Sequence, residues 1–191
     1  MFTKEEFENI GSLDSKPMLV VLHGMNGGSG EAYLRRSLMP FINGGEEWEA
    51  CVVNSRGCAG SQLGNGILYN ARSTWDLRQI VEWLQQKFPN RPLFALGFSM
   101  GANMLVHYLA EEGQKCPIRA AAICSNPWNL ELSPQMGLPI EEAKANPYVV
   151  LVVTSFGGHL GWFQQDGSRW FIQAIYNTLQ QFWEKVESVL L

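Results

Sequence analysis

Residues 97–101 read GFSMG, a serine between two glycines, directly after the apolar run PLFAL and directly before a helical pattern. A serine hydroxyl becomes a nucleophile when it stands on a sharp strand-to-helix turn, and Gly97 and Gly101 remove the side chains that would crowd Ser99 there. In a chain with 19 glycines the pentapeptide alone is a modest signal. The strand-turn-helix setting is what points to acyl transfer. A serine that merely caps the helix beginning near Met100 needs no glycine on either side.

Acyl transfer builds negative charge on a carbonyl oxygen, and stabilising it takes backbone N–H groups already aimed at that point. The stretch LHGMNGGSG, residues 22–30, follows the first apolar run and lets the backbone come close to a substrate. Met25, next after His-Gly, and Met100, next after Ser99, are the expected oxyanion-hole donors. A phosphate-cradling reading of the same loop lacks both the Lys-Ser/Thr pair and a G-x-G-x-x-G entering a helix.

Ser99 also needs a base, and the chain has three histidines. His23 belongs to the glycine-rich loop and is expected to fold it through a hydrogen bond. His107 lies mid-helix, two turns after Ser99, and reads as an ordinary helix residue. His159, in VTSFGGHLGW (153–162), fits the chain order serine, acid, histidine and the glycine context of a loop after the last strand. The carboxylate that orients it should lie between 100 and 158, a stretch without any aspartate. Its acidic residues are Glu111, Glu112, Glu131, Glu141 and Glu142, of which Glu141 and Glu142 occupy the interval where the acid belongs. Asp166 is close to His159 in sequence but follows it beside Gly167, as a turn residue would. The triad acid is therefore unassigned, with Glu141, Glu142 and Asp166 as weak candidates.

These groups need a scaffold to bring them together. Short runs rich in Val, Leu and Ala alternate with helical patterns, the sign of a mostly parallel sheet covered by helices on both faces. Strands are expected in 17–24, 48–57, 92–101, 118–127 and 148–155. Helices are expected near 31–41, 73–88, 100–112 and 168–190, the last with an apolar stripe from Trp170 and Phe171 through Leu179 and Trp183 to Leu190. Segment 128–147 joins two parallel strands with only the short helical piece IEEAKAN, near the minimum for such a crossover. The fold class is α/β, with a sheet of about five strands. One domain is expected over 1–191, with a polar segment at 1–16 and the shortened connection at 128–147.

Bulk properties narrow the partners. A net charge of −4 without a Lys/Arg-rich run gives no electrostatic footprint for nucleic acid or anionic membrane. The polar, acidic N-terminus is neither a secretory signal nor a membrane span, so a cytoplasmic protein is expected, with peripheral membrane or lipid-droplet contact left open. The four cysteines, Cys51, Cys58, Cys116 and Cys124, lack metal spacing and read as reduced thiols. No metal and no cofactor is expected, and the sequence is silent on oligomeric state. Arg56 and Cys58, in NSRGCAG, read as turn-stabilising residues past a strand end, and Asp76 as a capping carboxylate in the first turn of its helix.

Taken together, PMLVVLHGMNGGSGEAYLRRSL, WEACVVNSRGCAGS, LYNARSTWDLRQIVEWL, PLFALGFSMGANMLVHYLAEEGQKCPIRAAAICSNPWNL and NPYVVLVVTSFGGHLGWF resemble the YheT-like/ABHD branch of the α/β-hydrolase superfamily. NSRGCAGS and GGHLGW are far more specific than G-x-S-x-G. The resemblance, over about 17–170, implies Ser99 as nucleophile, His159 as base and Met25 with Met100 at the oxyanion hole. It also implies medium-chain acyl or glycerolipid esters as substrates of a serine carboxylic ester hydrolase, with water or an alcohol resolving the acyl-serine. Members of that branch usually carry further N-terminal sequence, often with a membrane anchor. They also carry a helical cap and a strand ending in the triad aspartate, between the parts matching SNPW and GLPIEEAKANP. Here that block is missing. The alternative reading is a catalytically impaired, truncated hydrolase fold that acts as a binding protein or is a fragment.

Overall fold

The computed structural model describes all residues except 1, 2, 4, 6, 7, 45–47, 129–137, 156 and 191, and omits the side chains of 189 and 190. Its strands are β1 (Met18–Leu22), β2 (Glu49–Val53), β3 (Leu93–Phe98) and β4 (Ile118–Cys124), all parallel, in the order β2-β1-β3-β4. The described helices are α1 (Ala32–Asn43), α2 (Thr74–Lys87), α3 (Met100–Glu112), α4 (Ile140–Ala145) and α5 (Trp170–Leu190). β1 and β3 are buried along their whole length, which is why they read as unbroken apolar runs. Met18, Val20, Leu22 and Ala95 face α2 and α3 through Leu77, Val81, Met104 and Leu105. Leu19, Val21, Phe94 and Leu96 face α1 and α5 through Leu34, Phe41, Phe171 and Trp183.

The expected fifth strand is not in the sheet: residues 148–155 form no ladder and, apart from half-buried Leu151, lie exposed, Val150 at 89%. A parallel crossover usually returns the chain through a helix that packs on the face of the sheet. The one described helix of that connection, α4, has six residues and none of them is buried, so it does not dock on the sheet as a crossover helix does. α5 forms as expected but buries a narrower stripe. Phe171, Leu179 and Trp183 are interior, whereas Trp170 and Phe182 are over 40% exposed.

The N-terminal segment is tied to the sheet by one buried cation. Arg91, with its side chain 3% exposed, donates to both carboxylate oxygens of Asp14 at 2.6 Å and to Glu49 at 2.5 and 3.2 Å. Its guanidinium lies 4.4 Å from the Phe88 ring centroid. The Arg91 hydrogen bonds hold the Asp14 carboxyl well below the usual carboxylate range. A depressed folded value means the stabilisation is complete above the ordinary Asp range and is lost as acid titrates the folded group. Asp14 is partly solvated, so Asp14→Asn should cost only about 1 kcal/mol at pH 7 in urea unfolding. The gap from the wild type should narrow progressively as the pH falls from about 5 toward 2; a gap of constant size over that range contradicts the pairing.

Candidate active site

The parallel register sets Leu22 opposite Gly97, so the loops leaving β1 and β3 emerge side by side. Strand order reverses between these two strands, the crevice where open α/β sheets bind ligands. Ser99 stands there with φ +53° and ψ −119°, a conformation costing about 1–3 kcal/mol. The Ser99 N–H donates to the Cys124 carbonyl at 2.9 Å, and the Ser99 carbonyl accepts from Asn103 N–H at 3.0 Å. The flanking glycines serve packing more than access to the hydroxyl. A β-carbon at 97 would stand 2.7 Å from Ala102 Cα, and one at 101 would stand 2.7 Å from the Leu22 carbonyl oxygen.

His159 Nε2 lies 2.8 Å from Ser99 Oγ, across 60 residues of sequence. His159 occupies a turn closed by Gly161 N–H to the Gly158 carbonyl at 3.0 Å, with Leu160 at φ +57°. Leu160 N–H donates to Ser125 Oγ at 3.3 Å, and Arg169 Nε donates to the Leu160 carbonyl at 3.1 Å. Trp162 stacks its ring where a side chain at Gly157 would sit, donates to Thr154 Oγ1 at 2.7 Å, and meets Phe171 edge-on at 5.9 Å. So consecutive residues at the end of β4 hold both halves of the pair: the Cys124 carbonyl anchors Ser99 and the Ser125 hydroxyl anchors the turn of His159. The carboxyl end of β4, instead of a fifth strand, positions this histidine.

Met25 is 68% exposed on the loop after β1, and Gly24 adjoins Ser99: a β-carbon there would touch Ser99 Cβ at 3.3 Å. Neither the Met25 nor the Met100 N–H meets an acceptor among the described residues. His23 is buried with both ring nitrogens engaged. Ser55 N–H donates to Nε2 at 3.1 Å, so Nδ1 carries the proton donated to the Gly24 carbonyl at 2.6 Å. That is the loop-folding role expected of it. Asn54 clamps the far end of the loop, accepting Ser29 N–H at 2.9 Å and donating to Ser29 Oγ at 3.3 Å. Sequence reasoning missed Asn54, whose signal was its place in NSRGCAG directly after a strand.

Arg56 has a partner that spacing alone did not reveal: it donates twice to Asp76, at 2.6 and 2.5 Å. Asp76 thus serves an ion pair in the first turn of α2, and Ser73 has the N-cap position. Cys58 is buried in the same loop, its N–H closing a turn onto the Ser55 carbonyl at 2.9 Å. His107 is half-buried on α3.

The candidate acids are not brought to His159. Glu141 pairs with Lys144 at 2.8 Å, Glu142 is exposed on the same short helix, and Asp166 accepts Ser168 N–H at 2.9 Å. Glu111 and Glu112 pair with Arg78. Glu131 lies outside the described residues, among which no carboxylate hydrogen-bonds to His159. Among the same residues no cluster of three His, Cys, Asp or Glu could hold a metal ion, and no helix is long and apolar enough to cross a membrane.

A model of the alpha/beta hydrolase fold matches residues 17–184. Monoacylglycerol lipase of Saccharomyces cerevisiae is 27% identical over 278 aligned positions, covering 93% of this chain and 62% of that protein. Those positions outnumber the 191 residues here, so long stretches of the relative face gaps in this chain. Medium-chain fatty acid ethyl ester synthase/esterase 2 of the same yeast is 42% identical over 67% of this chain and 28% of its own length. Phospholipase ABHD3 of Bos taurus is 32% identical over 67% of this chain and 31% of its own. The chain thus spans less than two thirds of the curated relatives it matches. Among solved structures, the Pyrococcus furiosus esterase Pf2001 superposes with a TM-score of 0.52 at 24% identity, over 61% of this chain and 44% of that one, a likeness of fold.

The glycine packing carries a prediction. Gly101→Ala should destabilise the protein by about 2–3 kcal/mol in urea unfolding, because its β-carbon meets the rigid backbone of β1. Gly30→Ala, where nothing lies within 4 Å, should stay within about 0.5 kcal/mol of the wild type. Equal midpoints for the two variants would rule out the close approach of α3 to β1.

Proposed function

Because the chain belongs to the alpha/beta hydrolase fold family, we propose that it is a serine carboxylic ester hydrolase acting on medium-chain acyl or glycerolipid esters. The observation that carries this reading is the 2.8 Å contact between His159 Nε2 and Ser99 Oγ. Ser99 Oγ attacks the ester carbonyl carbon while its proton passes to His159 Nε2. The carbonyl oxygen, now negative, takes the Met25 and Met100 N–H groups. The C–O bond to the alcohol then breaks as His159 returns the proton to the leaving oxygen, leaving an acyl-Ser99. Water, deprotonated by His159, repeats the attack and frees the acid; an alcohol in its place yields a new ester.

The lipid-ester class is supported by the names of the relatives, which include a monoacylglycerol lipase, a fatty acid ethyl ester synthase/esterase and a phospholipase. A second reading has its own support: among the described residues no carboxylate orients His159. A triad without a correctly working orienting acid loses about 10⁴ in rate while serine and histidine stay in place. On that reading the chain is a catalytically impaired hydrolase fold that binds esters.

A fluorophosphonate probe separates the two. Covalent labelling of the wild type, abolished in Ser99→Ala and slowed at least about 100-fold in His159→Gln, is the expected result. A folded wild type that takes no label sinks the esterase.

A further inference from the structure

Three consecutive peptide planes of the loop after β1 are pinned by identifiable groups. Gly24 N–H donates to Tyr33 Oη at 2.9 Å, and Asn26 N–H donates to Tyr69 Oη at 2.8 Å. The carbonyl of Gly24, in the plane between them, accepts from His23 Nδ1 at 2.6 Å and from Gly27 N–H at 3.1 Å. In a planar trans peptide the N–H points opposite to the carbonyl, so fixing the Gly24 oxygen fixes the direction of Met25 N–H. From Gly24 to Gly27, every backbone N–H except that of Met25 has an acceptor among the described residues.

The two tyrosines reach the loop from opposite faces of the sheet. Tyr33, on α1, packs with the core under α1 and α5 and meets Phe98 edge-on at 5.1 Å. Tyr69 packs with the core under α2 and α3 and meets His23 edge-on at 6.2 Å. The Tyr33 hydroxyl also shares a wall with the nucleophile: a β-carbon on Gly24 would lie 3.5 Å from Tyr33 Oη and 3.3 Å from Ser99 Cβ. Each ring is anchored by packing, so each hydroxyl is a fixed acceptor.

We infer that Tyr33 and Tyr69 are positioning residues that engage the N–H groups on either side of Met25 and leave the Met25 amide as the donor presented to the reacting carbonyl. Neither touches the substrate; both act through the loop. The inference rests on the esterase reading for its catalytic meaning, whereas the hydrogen bonds can be read without catalysis.

The test uses the full chain with Tyr33→Phe, Tyr69→Phe and, as a control at the contact between α1 and α5, Tyr176→Phe. Amide hydrogen exchange by NMR should find Gly24 and Asn26 protected in the wild type. Protection should fall at Gly24 in Tyr33→Phe and at Asn26 in Tyr69→Phe. With p-nitrophenyl hexanoate, each loop variant should lose about tenfold in kcat at unchanged KM and unchanged melting temperature. Tyr176→Phe should match the wild type in both measurements. Unprotected Asn26 in the wild type, full kcat in both loop variants of an active enzyme, or loss of activity only in step with melting temperature each overturns the inference. Protected amides in a wild type that neither hydrolyses ester nor takes a fluorophosphonate overturn the esterase reading, and the positioning role falls with it.

Discussion

The parallel pairing of β1 with β3 is the constraint on which the rest of this molecule depends. Both strands are buried on both faces, so each is held between two apolar layers at once. With Leu22 opposite Gly97, the chain leaves both strands at the same level and at the point where strand order reverses. The serine turn and the Gly-rich loop then have nowhere to go but against each other. Gly101 completes the arrangement by letting α3 start on the carbonyls of Leu22 and His23.

Backbone strain is concentrated on one rim. The described non-glycine residues with positive φ are Asn26, Ala59, Ser99, Ser125 and Leu160. The first four follow β1, β2, β3 and β4 in turn, and the fifth is beside His159. Such conformations persist only where the surroundings over-determine them. Here the surroundings are explicit: Tyr69 holds Asn26, the Cys124 carbonyl holds Ser99, and Ser125 with Arg169 holds Leu160. The buried sheet supplies the stability that this rim spends.

The two loop histidines stand in contrasting environments. His23 is buried with both nitrogens committed, which fixes its tautomer and makes it a strut between the loops after β1 and β2. His159 is exposed and joined by one nitrogen to Ser99, with its neighbours rather than its own ring carrying the anchoring bonds. A strut needs two fixed partners, and His23 has both, whereas the second ring nitrogen of His159 has no carboxylate partner among the described residues.

The sequence by itself determined the alternation of apolar runs and helices, four strands of the sheet, the helices flanking them, and the Ser99 turn with its Gly-rich neighbour. These are local matters, since periodicity, turn chemistry and glycine spacing act within a few residues. Chain order put His159 in a loop beyond the sheet and His23 in the loop after β1, where the structure sets His159 Nε2 2.8 Å from Ser99 Oγ and His23 against Gly24 and Ser55. Only the tertiary structure decided what depends on distant segments meeting. The run YVVLVV has strand composition, but composition cannot dock the connection that would bring it beside β4, and the described helix of that connection buries no residue. Arg56 found Asp76 across 20 residues, and Asn54 found Ser29 across 25. Side chains that stabilise by closing long loops leave no periodic trace, because their partners are chosen by where the sheet delivers them.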